Sequence, residues 1–466
     1  MSSVKWYTPF VWLVMVALIA SACAPAAPAP TQAPAPTQAP APTQAPAAAP
    51  TQAPAPTPTP PPLPAAEKVV LRVIDNWGNQ TDAKGPPLQS IFEDFMKANP
   101  NITIEEEVFA DTEIPTKVET GFLAGEEPDL VFQNYGLGTI EWVNDGVVVP
   151  VTDLVEQWGL KDKFKDEAIG QFTDSQGRIG SFPLEGFTWP MWYNMKILKE
   201  AGVDDVPKTI DELLAASEKV RAAGYQPLVV GGADWTGQAL FDLIKSSVMT
   251  DQEAGEAYVK GGFSENDKFK QSVELFVQLR DAGVFADSSE GLEFATMNEM
   301  FFSGKAAMMH AGSWSFSELP EAVQPDVVVS GFPLPPGSPH AKPIYASGYV
   351  GKGIWITRNG AQKMDAVEKF VKFFYQPEMI ARFVEQAGMT SPLKETPVDA
   401  SKLNPLFAQT VGWGDSTEAV EVMDLYIPSK AWEDLWKVTK KAYLPDTTAE
   451  QILADFDLAW EPYLSQ

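Results

Sequence analysis

Residues 6–66 carry no charged side chain, and 16 of the chain's 41 prolines fall within residues 24–64. The repeat APAPTQ begins at Ala27, Ala33 and Ala39, and a longer variant ends at Gln52. With almost no large apolar side chain and a proline every two or three residues, this stretch cannot build a core. It is expected to be an extended, polyproline-like spacer that reaches roughly 125 Å at about 3.1 Å per residue. Folding is therefore left to residues 67–466, and that body is strongly acidic. Of the chain's 34 basic and 62 acidic side chains, only Lys5 lies outside it, so the body carries −29 of a net −28 for the whole. Such a surface repels phosphate backbones and anionic lipids, which excludes nucleic acid as a partner. The body exceeds one typical core and reads as two or three domains.

Ahead of the spacer, residues 10–20 (FVWLVMVALIA) form an unbroken apolar run after Lys5. A membrane-spanning helix needs about 20 such residues, so the run fits the apolar segment of a secretory signal. The small residues Ala20, Ser21 and Ala22 follow, then Cys23, the single cysteine. One reading is a signal peptide cut after Ala22 with Cys23 a plain thiol. The sharper one is a lipoprotein, with residues 1–22 removed and a diacylglycerol on Cys23, the new N-terminus. IASAC resembles a bacterial lipobox, departing from it at Ala20, where leucine is usual. The spacer (23–66) would then be a tether holding the body off a membrane. A lone cysteine excludes disulfides within the chain and Cys-rich metal sites. His310 and His340 are the only histidines and leave little room for a His-built zinc site, so no metal or other cofactor is expected.

In the body, VVLRVI (69–74) reads as a strand. Leu88, Ile91, Phe92, Phe95 and Met96 recur at helical spacing, and Asn99-Pro100 stops that helix. Ile102 and Ile104 alternate with polar residues as a second strand, and PDLVF (128–132) is a third. Thr209 and Glu212 form a capping box for a helix with Ile210, Leu213, Leu214 and Val220 on one face, and Gly224 ends it. PLVV (227–230) is a strand again. Val367, Phe370, Val371 and Phe374 mark another helix, and Thr447 with Glu450 is expected to cap a last one carrying Ile452, Phe456 and Trp460. This alternation predicts an α/β fold in two lobes.

In open α/β sheets ligands bind beyond the carboxyl ends of the strands. Those positions carry Asp75-Asn76-Trp77-Gly78-Asn79, Gln133-Asn134-Tyr135 and Gly231-Gly232-Ala233-Asp234-Trp235. Carboxylates and amides beside aromatics suit a polyhydroxylated ligand, whose C–H face lies on a ring while its hydroxyls are bonded. Rim packing of the same rings is the bland alternative. Enzyme signatures of the GxxxxGK, HExxH and GxSxG types are missing. His310 near Ser313 is expected to be a structural histidine. The 62 acids leave a glycosidase-type carboxylate pair open. DNWGNQTD (75–82) lacks full calcium-loop spacing.

Several stretches carry a resemblance: PDLVF (128–132), FPLEGFTWPMWYNMKILKEAGVDDVPKTIDELLAASEKV (182–220), FFSGKAAMMHAGSWSFSEL (301–319) and GYVGKGIWITRNGAQKMDAVEKFVKFFYQPE (348–378). Together they resemble the extracellular solute-binding proteins of bacterial sugar ABC transporters, family 1, the maltose-binding-protein type. The resemblance implies a two-lobe periplasmic-binding-protein (Venus-flytrap) fold, with two mainly parallel sheet lobes joined by hinge strands. The first lobe would span 67–186 plus 331–395, the second 187–330 plus 396–466. Carried over, the ligand contacts fall on Asp75, Trp77, Asn79, Gln133, Tyr135, Glu185, Trp189, Asp234, Trp235, Trp314, Tyr349 and Trp413. Ser313 would cap a helix opening at Trp314. Trp142, Trp158, Trp432, Trp436 and Trp460 lie in helical patterns and are expected in the core. The implied function is capture of a carbohydrate by a membrane-anchored monomer that delivers it to the permease subunits of an importer. A polyol, glycerol-phosphate or polyamine receptor and a secreted glycoside hydrolase are the alternatives.

Overall fold

The computed structural model describes residues 67–464 apart from 79–82, 135–139, 175, 350, 411–412, 423–426 and 428. The expected signal segment, Cys23, the expected spacer and the expected contacts Asn79 and Tyr135 lie outside the described residues. Along the chain the strands are β1 (Val69–Asp75), β2 (Ile102–Val108), β3 (Leu130–Gln133), β4 (Phe182–Pro183), β5 (Phe187–Trp189), β6 (Met191–Asn194), β7 (Gln226–Val229), β8 (Ala306–His310), β9 (Val327–Ser330), β10 (Ile344–Gly348), β11 (Gly353–Ile356) and β12 (Glu418–Glu421). They form three sheets, ordered β2-β1-β3-β11-β4, β7-β8-β6-β9 and β12-β10-β5. The expected parallel pairing holds for β1 with β2 and β3, and for β7 with β8. Strands beside a crossover reverse: β11 runs against β3 and β4, and β6 against β8 and β9. Chain arriving from the other lobe enters a sheet from its far end, so it pairs antiparallel.

The helices form where the apolar spacing demands them. Helix Gly85–Ala98 buries Leu88, Ile91, Phe92 and Phe95 and ends at Asn99. Helix Met364–Phe374 buries Val367, Phe370, Val371 and Phe374 against it. The ring of Phe370 lies 5.8 Å from Phe92, 5.2 Å from Phe95 and 5.6 Å from Phe374. Thr209 and Glu212 make their capping box. The last helix starts one residue later than expected, on Thr448 and Gln451, because the Thr447 hydroxyl donates to the Lys441 carbonyl instead. No helix among the described residues is long and apolar enough to cross a membrane.

One core runs from Leu71 to Leu184 and resumes from Ile354 to Leu393. A second gathers Met191, Tyr193, Leu228, Phe241, Phe276 and Phe456, and a third, centred on Trp192, Met309 and Phe316, adds Leu406 and Phe407. Phe332 and Ile344 belong to the second core, bonded to each other in an antiparallel bridge. The return to the first core therefore comes after β10, later than the expected residue 331.

Residues 179–194 are buried without a break and pass through β4, β5 and β6, one strand in each sheet. Gly186 is needed there: a side chain would meet the Tyr349 ring at 2.6 Å and the Thr390 carbonyl oxygen at 2.8 Å. At the end of β1, Asp75 folds the next turn, its Oδ1 accepting from the N–H of Trp77 (2.6 Å) and Gly78 (2.7 Å). Burial, then the hydrogen bond and like charge of Glu106, push the Asp75 carboxyl from 3.8 up to about 7.

Two expectations follow. Phe370→Ala is expected to cost about 3–5 kcal/mol in urea denaturation. Between about pH 4 and pH 7 Asp75 holds a proton in the fold that it has lost in the unfolded chain, so its stabilising contribution is full below about pH 4 and is lost as pH rises through about 7. Glu106→Gln removes the like charge and should flatten that fall between about pH 4 and pH 7. An unchanged slope would place the pH dependence elsewhere.

Candidate functional site

A cavity of about 420 Å³ has Trp77 of the first core on one side and, on the other, Trp432 of the second core together with a small separate cluster built on Phe187, Trp189 and Ala239, two of them from the crossover. The first wall is polar. Trp77 is fully buried, its ring 6.4 Å from Phe132 and 5.6 Å from Phe383. Two ammonium groups lie over that ring, Lys84 at 5.1 Å and Lys352 at 5.9 Å from its centroid. Each is met by a carboxylate: Lys84 pairs with Glu185 at 2.8 Å and Lys352 with Asp111 at 2.5 Å. Asn134 Oδ1 accepts from Lys352 at 3.0 Å, and its Nδ2 donates to Asp111 at 3.0 Å. Gln133, buried behind them, donates to the Asp111 carbonyl at 2.9 Å and accepts from the Asn134 N–H at 2.7 Å.

The second wall is aromatic: Phe187, Trp189, Trp235, Phe294, Trp314, Trp432 and Trp436, with Glu318 among them. Trp314 meets Phe187 at 5.3 Å and Trp189 at 5.1 Å, both edge to face. Trp189 contacts Trp235 at 5.3 Å and stacks at 13° on His310, which burial pushes down to about 3 and so keeps neutral. Asp234 caps helix Trp235–Ser246 by accepting from Thr236 N–H at 2.9 Å, and it also accepts from Phe294 N–H at 2.7 Å. One carboxylate thus fixes the helix starts that carry Trp235 and Phe294, whose rings are 5.2 Å apart. Trp432 and Trp436 come from helix Ser429–Ala442, one turn apart.

Of the twelve expected contacts, the structure brings Trp77, Glu185, Trp189, Trp235 and Trp314 to the cavity wall. Trp77 is no open platform there, because the two lysines cover its ring. Asp75, Gln133 and Asp234 do not line the cavity and hold residues that do. Tyr349 packs against the crossover at Gly186 and accepts from Lys165 at 2.8 Å, while burial pushes its hydroxyl up to about 12. Trp413 packs on Tyr345 at 4.8 Å in the third core. Neither lines the cavity: Tyr349 is taken up by Lys165 and Gly186 and Trp413 by Tyr345, partners that the sequence does not reveal. Ser313 caps no helix: Trp314 lies in the 3-10 helix Ser313–Glu318, and Ser313 Oγ accepts from Thr188 N–H at 3.4 Å.

Sequence reasoning missed Lys84, Asp111, Thr112, Lys352, Phe294 and Glu318, none of which stands in a strand-end motif. Trp432 is buried in the second core as expected and lines the cavity as well, Trp436 packs against that core and also lines the cavity, and Trp142, Trp158 and Trp460 are buried as expected. An i, i+4 pair fits a core face and a cavity face equally, so spacing could not separate them. Asn76 and Asn134 were legible, since both stand in the strand-end loops.

The model of the bacterial extracellular solute-binding protein family matches residues 78–381. A solved structure described as a probable secreted solute-binding lipoprotein from Streptomyces coelicolor is 33% identical, with a TM-score of 0.76 over 85% of this chain and 100% of that one. A probable sugar-binding periplasmic protein of Rhizobium meliloti is 26% identical over 49% of this chain and 55% of its own length. A maltotriose-binding protein of Pyrococcus abyssi is 26% identical over 68% of this chain and 66% of its own length. The chain thus spans between about half and two thirds of these two relatives. Two α/β cores joined by a buried crossover, a cavity between their walls and a family match over most of the body lead to one assignment: this chain belongs to the bacterial extracellular solute-binding proteins.

Proposed function

We propose that this protein is the receptor of an ABC importer, taking a neutral carbohydrate between its lobes and delivering it to the membrane permease. One contrast among the tryptophans carries the reading. In the cores, the indole N–H of Trp142 donates to Glu119, that of Trp192 to the Ala311 carbonyl, that of Trp355 to Gln133 and that of Trp460 to Tyr258, all at 2.8–3.0 Å. The indole N–H groups of Trp77, Trp189, Trp432 and Trp436, all residues of the cavity wall, are buried with no acceptor among the described residues. A buried donor left unmet costs about 1–3 kcal/mol. Several at one cavity fit a ligand rich in acceptor oxygens, and the rings beside them offer an apolar surface for its C–H face.

The charges favour a neutral solute. Both cavity lysines are paired with carboxylates, so neither a phosphate nor a polyamine would find an unmatched partner in Lys84, Lys352, Glu185 or Asp111. The same pairing favours a receptor over a glycoside hydrolase, and His310, sealed beneath Trp189, is not bonded to Ser313. The relatives named for sugar and maltotriose binding support the carbohydrate reading. On this reading the lobes are 67–186 with about 349–395, and 187–348 with 396–466. Cys23 carries the lipid anchor, the preceding residues are the signal peptide, and the spacer holds a monomer off the outer face of the cytoplasmic membrane.

A thermal-shift panel of mono- and oligosaccharides is expected to raise the melting temperature with at least one neutral sugar. A shift with a phosphate ester or polyamine alone would overturn the reading, as would release of hydrolysis products. For the sugar that binds, Trp436→Phe keeps a ring and removes the donor, and calorimetric titration should show a loss of about 0.5–1.5 kcal/mol. Separately, Cys23→Ser should move the protein from the membrane fraction to the soluble one with ligand affinity unchanged; retention in membranes would place the anchor elsewhere.

A further inference from the structure

A second cavity, of about 560 Å³, adjoins the first between helix Phe294–Phe302 and the 3-10 helix Ser313–Glu318. Phe294 and Glu318 line both cavities, so the two meet at these side chains. Phe294, Asn298 and Phe302 are four residues apart and make one stripe, which runs roughly 12 Å along the helix, away from Trp235. Asn298 Nδ2 donates to Glu318 at 3.1 Å and ties the two walls together. The lining mixes rings with an amide, a hydroxyl and two carboxylates, and it contains no lysine or arginine.

We infer that this groove is an extension subsite: one end of a neutral oligosaccharide lies among the cavity tryptophans and its next units lie along Phe294, Asn298 and Phe302. The inference rests on the carbohydrate reading of the main cavity. A sugar chain too long for the first cavity that leaves it past Phe294 meets the second next, because Phe294 and Glu318 border both. The occupant's chemistry is argued from the lining. Rings with a few polar groups suit a sugar face, and Glu299 with Glu318 would repel a carboxylated or sulfated glycan. Phe294 is held in place by the same Asp234 carboxylate that caps the helix of Trp235, so the platform is rigid where the two cavities join.

Calorimetric titration of the intact protein with malto-, cello-, xylo- and chito-oligosaccharides, from mono- to hexasaccharide, tests this. Within the series that binds, affinity should rise with chain length beyond the shortest ligand bound. Phe302→Ala should lower the affinity of the longer members by about fivefold or more, the low end for loss of a stacking ring, and leave the shortest unchanged. Phe302 lies 6.4 Å from Trp192, so its loss can also loosen the third core. Ala295→Trp fills the exposed groove without removing any packing and should produce the same length-dependent loss. Affinity independent of length, or equal losses for short and long ligands in both variants, overturns the extension subsite and leaves the receptor reading standing. Failure of every sugar to bind the unaltered protein overturns both.

Discussion

The unbroken burial of residues 179–194 is the constraint on which the two-lobe arrangement depends. That one extended segment supplies β4 to the first sheet, β5 to the crossing sheet and β6 to the second. A segment with strand partners in all three sheets cannot shift without breaking ladder bonds in each, so the lobes are hinged about it. Glu185 and Trp189 reach the cavity because they stand on this axis, between the sheets rather than within either lobe. Gly186 between them admits Tyr349 and Thr390 at distances no side chain would allow, which locks the crossover against the strap after β10.

The two walls of the cavity are chemically unlike, and the difference follows from how each is supported. On the first wall, Trp77 belongs to the core beneath it, and the side chains above are lysines whose charge is cancelled by Glu185 and Asp111. Paired, hydrogen-bonded charges can be held at a cavity with little net field, and they offer donors and acceptors without selecting an ion. On the second wall the rings pack on one another, Trp189 on Trp235 and Trp314, and present apolar surface. A ligand with a hydroxylated edge and a C–H face has a matching surface on each side. Asp234 and Gln133 touch neither cavity yet fix its walls, since one sets two helix starts and the other holds the Asp111 and Asn134 loops.

Where local chemistry suffices, the sequence was read correctly. The helix face of Leu88, Ile91, Phe92 and Phe95 and the capping box of Thr209 and Glu212 each depend on residues within one or two turns. The last helix was misread by a single residue, because choosing between Thr447 and Thr448 required knowing that the first hydroxyl bonds back to Lys441. Rings were harder. Trp436 and Trp460 both stand in helical patterns, but one lines the cavity and the other is buried in a core, its N–H donating to the Tyr258 carbonyl. Burial of a ring depends on what arrives opposite it, and no spacing rule carries that information.

By itself, the sequence determined that the acidic body alternates strands and helices, and that strand ends carry amides and aromatics suited to a hydroxylated ligand. These follow from composition, periodicity and short-range capping, all of them local. Only the tertiary structure decided which indole N–H groups meet no acceptor among the described residues, that Lys352 joins Lys84 over Trp77, and that a second cavity borders the first along helix Phe294–Phe302. Lys84 and Lys352 are far apart along the chain, as are Glu318 and Trp436. They share a cavity because β11 returns to the sheet that β1 began, and because helix Ser429–Ala442 packs its Leu435 and Val438 into the second core.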